Sequence, residues 1–89
     1  MPNYRILVHR KVDKFLDHMD EKAKKVALQK ILCLEKFPNP NEHLDIVKIE
    51  GKKDFYRLRT GRLRVMFSVD KNTRTIIILK ISQREAAYE

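Results

Sequence analysis

The chain has 89 residues, of which 20 are Lys or Arg and 12 are Asp or Glu, for a formal net charge of +8. That length gives one domain with room for a single core, and a 43% hydrophobic share with clear periodicity excludes a disordered chain. So basic a domain is suited to an anionic partner: nucleic acid, an acidic protein or a lipid surface. No apolar run reaches the length of a membrane span, and the opening residues lack a signal-peptide pattern, so a cytoplasmic protein is expected. Cys33 is the sole cysteine and has no internal disulfide partner; among Ile31, Leu32 and Leu34 it reads as a small buried hydrophobe.

Tyr4–Val8 is a short apolar strand. Val12, Phe15, Leu16 and Met19 follow at i, i+3, i+4 and i+7, the spacing of a short amphipathic helix. Asp20 is placed to cap a second helix, with Glu21 in its first turn. Ala23, Ala27, Ile31 and Leu34 form that helix's core stripe, widened by Val26, Leu28 and Leu32, and Pro38 and Pro40 end it. A polar loop leads to a strand at Ile46–Glu50, and Gly51–Asp54 is a turn.

Residues 55–69 then alternate apolar and polar, with Arg57, Arg59, Arg62 and Arg64 in the polar set. Such alternation specifies strands with one buried face. Thr60-Gly61 reads as the turn of a hairpin that pairs Leu58 with Leu63, Tyr56 with Val65, Arg57 with Arg64 and Arg59 with Arg62. Like charges directly across a ladder destabilise it, so this face suits an anion better than it suits stability. The other reading of these arginines is a solubilising, edge-protecting surface. Asp70–Thr73 is a turn, and Thr75–Ile81 is a strand whose Ile-rich run suggests cover on both faces. The expected architecture is α+β: two N-terminal helices on one face of a twisted, mainly antiparallel sheet of four to five strands, in a single domain over residues 1–89.

The excess charge lies in the sheet half. Residues 1–45 hold 9 Lys/Arg and 7 Asp/Glu, and residues 46–89 hold 11 and 5. No nucleophile elbow, phosphate-binding glycine loop or His/Cys set at metal spacing is present, and His9, His18 and His43 are scattered, so neither metal nor cofactor is expected. Basic residues and a tyrosine suffice to act on RNA, which carries its own nucleophile in the 2′-hydroxyl. Guanidinium forks match phosphate oxygens, and converging positive charge makes a neighbouring lysine or tyrosine a better proton acceptor. Tyr88 lies four residues beyond Arg84, one helical turn if the tail is helical. A ring tucked over the sheet edge is its other reading.

Taken together, the strand–helix–helix–strands order, Val47–Gly51, Tyr56-Arg-Leu-Arg59, Arg64-Val-Met-Phe67 and Arg84-Glu-Ala-Ala-Tyr88 resemble the RelE/ParE toxin superfamily, with archaeal RelE toxins the nearest likeness. The resemblance spans nearly the whole chain. It implies a toxin neutralised by a cognate acidic, RelB-like antitoxin in a hetero-oligomer, and an endonuclease that cuts mRNA in the ribosomal A site without metal. It places Arg57 and Arg59 at the paired basic positions, Arg64 at the transition-state arginine, Arg84 and Tyr88 at the C-terminal pair, and Lys48 as a weaker candidate; Arg62, from the basic hairpin, is read with Lys48 as a further RNA contact. Arginine stays protonated, so where some members carry lysines this chain must leave the base role to Tyr88 or to ribosomal groups. A further arginine of some members aligns with Ser82. ParE-type relatives, which inhibit DNA gyrase and generally lack the nuclease residues, are the alternative.

Overall fold

The computed structural model describes residues 3–37 and 44–83. Strand β1 (Arg5–Val8) leads into helix α1 (Arg10–Asp17) and helix α2 (Glu21–Leu32), which tightens into a 3₁₀ turn at Cys33–Lys36. Strands β2 (Asp45–Lys48), β3 (Phe55–Thr60), β4 (Leu63–Asp70) and β5 (Thr75–Gln83) follow. The sheet order is β1-β5-β4-β3-β2, with β1 parallel to β5 and the remaining pairs antiparallel. The connection from β1 through both helices returns the chain to the far edge, so the helices cover one face of the sheet.

Each helix begins where a side chain satisfies an orphan backbone N–H. His9 Nδ1 accepts from Lys11 N at 3.0 Å, which gives this histidine a capping role. The Asp20 carboxylate accepts from Ala23 N at 3.2 Å. Asp20→Ala is expected to cost about 1 kcal/mol, read in urea as a lower midpoint at unchanged slope.

The core lies between the helices and the inner face of the sheet. Val12, Leu16, Ala27, Ile31 and Leu34 meet Leu58, Val65, Phe67, Ile76, Ile78 and Ile81, all buried. At one end the rings of Phe37 and Tyr56 pack on Phe67, at centroid distances of 6.0 and 5.6 Å, and Tyr4 meets Phe37 edge-on at 6.1 Å. Two members of the expected α2 stripe do not join this core: Val26 and Leu32 are about half exposed, because α2 buries only the narrow seam of Ala27 and Ile31. Ala23 is exposed and Cys33 half-buried for the same reason. Pro38, Pro40 and His43 lie outside the described residues.

The hairpin register differs from expectation by two residues. Leu58 pairs with Val65, Tyr56 with Phe67, Arg59 with Arg64, and Thr60 with Leu63. The loop is therefore Gly61-Arg62, and Gly61, at φ +58°, occupies its first position. A glycine there supplies the positive φ that such a two-residue turn needs. The two-residue shift preserves the alternation, so Leu58, Leu63, Val65, Phe67 and Val69 still face the core. It also corrects the expected arginine pairs: Arg57 lies opposite Met66, and Arg62 sits in the turn.

Candidate functional site: the basic face of the sheet

Among the described residues, no helix or strand covers the outer face of the sheet. The register lays its side chains out in rows, about 4.8 Å apart between strands and about 6.8 Å apart between rows. The first row reads Asp45, Arg59, Arg64, Ser82, and the second Val47, Arg57, Met66, Lys80. Four cations, Arg57, Arg59, Arg64 and Lys80, thus occupy a patch roughly 10 Å by 7 Å between backbone positions. Arg62 stands at the adjoining turn.

Lys80 reaches this face through a bulge. The register slips by one between Met66 and Phe67, so that Met66 pairs with Lys80 while Phe67 pairs with Ile78. The extra residue, Leu79, reverses the alternation of β5. Without it, Lys80 would share the inward parity of Ile76 and Ile78; with it, Ile81 turns inward and Lys80 outward. Simple alternation along Ile76–Lys80 hides this cation. The same strand corrects the expectation of two covered faces, since Ile77 lies on the open face beside Leu7 and is only partly buried.

The arginines are held differently. The Nε of Arg57 is shielded from solvent and has no hydrogen-bond partner, and the Nε of Arg64 is likewise shielded. Both residues are only partly exposed. Arg59 is bound across the strands to Asp45: its Nε and Nη2 both lie 2.9 Å from Oδ2. Asp45 belongs to the site although nothing in its local sequence marks it, since the pairing of β2 with β3 alone brings it there.

Lys48 does not share this face. It pairs with Tyr56, whose ring packs in the core, and so points to the helix side of edge strand β2. Arg84 and Tyr88 lie outside the described residues. His18 caps the end of α1, with Nδ1 2.8 Å from Lys14 O. Among the described residues no helix is long and apolar enough to cross a membrane.

The described residues thus set a helix pair behind a five-stranded mixed sheet whose open face gathers the cations. Residues 6–88 match the ParE toxin family of type II toxin–antitoxin systems, parDE. The chain belongs to this ParE/RelE toxin family. It is 36% identical over 86 residues to RelE1 of Methanocaldococcus jannaschii, covering 97% of this chain and 96% of that protein. The fold superposes on a chain of the archaeal RelE–RelB complex from Pyrococcus horikoshii OT3 with a TM-score of 0.81 at 36% identity, covering 96% of this chain and 99% of that one. A chain of the RelB–RelE antitoxin–toxin complex from Methanococcus jannaschii gives 0.74 at 28% identity, covering 92% and 94%.

Proposed function

We propose that this toxin is an endonuclease that cuts mRNA on the ribosome, with the basic sheet face holding the scissile phosphate. The observation that carries this reading is the gathering of Arg57, Arg59, Arg64 and Lys80 in two adjacent rows of an uncovered face. The 2′-hydroxyl of the nucleotide before the cut attacks the neighbouring phosphorus. The P–O5′ bond then breaks and the departing 5′ oxygen takes a proton from solvent or a ribosomal group, leaving a 2′,3′-cyclic phosphate and a 5′-hydroxyl. Negative charge builds on the phosphorane oxygens, and guanidinium forks fixed in advance stabilise it. Arg64 is central, with Arg59 directly opposite and Arg57 on the diagonal.

The 2′-hydroxyl proton goes to Tyr88 in its phenolate form or to a ribosomal group, because guanidinium does not give up its own proton to act as base. Arg84 accompanies Tyr88 in this scheme, and Arg62, at the turn, extends the phosphate track. Lys48 is a weaker candidate, serving RNA that wraps over the β2 edge. The reading implies the cytoplasm as compartment. The solved relatives are toxins in complex with RelB, and by the same logic this +8 chain assembles with an acidic antitoxin drawn to its charge.

Inducing the toxin and mapping transcript 5′ ends tests the proposal. Growth arrest with new ends inside translated regions is expected. Intact messages accompanied by DNA damage and supercoiling defects would instead select gyrase as target.

A further inference from the structure

Two arginines of β3, two residues apart on one face, are in opposite states: Arg59 is tied to Asp45, whereas among the described residues no ion pair holds Arg57. Within the two basic rows Asp45 is the only acid. It contacts the Nε–Nη2 edge of Arg59, the edge that would grip a phosphate. On its other side Arg59 faces Arg64, a like charge directly across the ladder. The side chains of Arg59 and Asp45 are 45% and 49% exposed, so solvent screens their pairing and an incoming anion can compete for it.

We propose that Asp45 is a positioning residue, a latch that holds Arg59 aimed along the first row in the unliganded toxin and yields it to an RNA phosphate. The inference rests on reading this face as the phosphate site. In the unliganded protein Asp45 offsets the Arg59–Arg64 repulsion and keeps the guanidinium from wandering into solvent. On binding, a phosphate oxygen takes the place of Oδ2, and the carboxylate is released to water at the sheet edge. A latch of this kind lowers affinity for stray anions while keeping the arginine near its working orientation.

The test is binding of a short 2′-O-methyl RNA strand, which cannot be cleaved, to the full chain without ribosomes across a salt series. Asp45→Asn is expected to tighten binding about 2–5-fold. It should also make log K fall slightly more steeply with log salt, because salt weakens the Asp45–Arg59 pair that the parent must break before Arg59 reaches the phosphate. Asp13→Asn, the same charge change on exposed α1, is expected to give a smaller gain and no change of slope. With Arg59→Ala in place, Asp45→Asn should do no more than Asp13→Asn, and Asp45→Glu should behave as the parent, thermal unfolding confirming the fold of each. A gain equal to that of Asp13→Asn, a gain that survives loss of Arg59, or no binding by parent and variant at low salt would overturn the latch. Because nothing is cut in this assay, a chain that shows the latch but leaves messages whole would lose the nuclease reading alone.

Discussion

Arg64→Ala is expected to lower ribosome-dependent cleavage by about 100-fold or more, the scale of deleting one preorganised stabiliser of transition-state charge. Arg64, the second residue of β4, has Arg59 across one ladder and Ser82 across the other, so no neighbour on its row can replace it except Arg59. Its Nε is shielded from solvent, which restricts how far the guanidinium can wander before substrate arrives. Arg64→Lys should recover only part of the rate, because an ammonium lacks the two-pronged fork. The fold should survive both changes. Arg64 points away from the core, and its removal relieves the like charge opposite Arg59, so stability is expected to shift by no more than about 0.5 kcal/mol. Growth after induction and cleavage on purified ribosomes read the effect; undiminished toxicity of a folded Arg64→Ala chain would remove Arg64 from the chemistry.

Phe67→Ala is the second large effect and acts through folding. Phe67 is fully buried, stacks on Tyr56 with 17° between the rings and meets Phe37 nearly edge-on. Truncating such a ring costs about 3–5 kcal/mol through lost transfer energy and the cavity left behind. Total stabilities are typically about 5–15 kcal/mol, so a domain of this size keeps little in reserve. Urea denaturation should show the midpoint falling steeply, and a smaller loss for Phe67→Leu, which fills more of the space. Met66 and Phe67 flank the bulge, so the register that brings Lys80 outward depends on this packing as well.

The fold was largely legible because its strands and helices bury one face each. Alternation over residues 55–69 placed Leu58, Val65, Phe67 and Val69 inward and Arg57, Arg59 and Arg64 outward, and all seven are so disposed. Which arginines face each other was not legible. A Thr-Gly pair can put its glycine second or first in a two-residue loop, and each choice gives a register that keeps the alternation. Lys80 was hidden by a bulge, a change of parity that leaves no mark in an Ile-rich run. Lys48 was ambiguous because Ile46 and Val47 put apolar residues on both parities of β2. Asp45 could emerge only once β2 was paired with β3. Val26 and Leu32 misled because helical spacing alone cannot say how wide a stripe the partner surface covers.

In the proposed mechanism, RNA supplies the nucleophile and the arginine rows stabilise the charge that forms. The most direct measurement uses purified ribosomes programmed with an mRNA whose scissile nucleotide carries a 2′-deoxy sugar at the position cut in the all-ribose message. Cleavage at that position is expected to vanish while neighbouring ribose positions remain susceptible. Undiminished cutting at the deoxy position would contradict the account, since the attacking oxygen would then have to come from elsewhere.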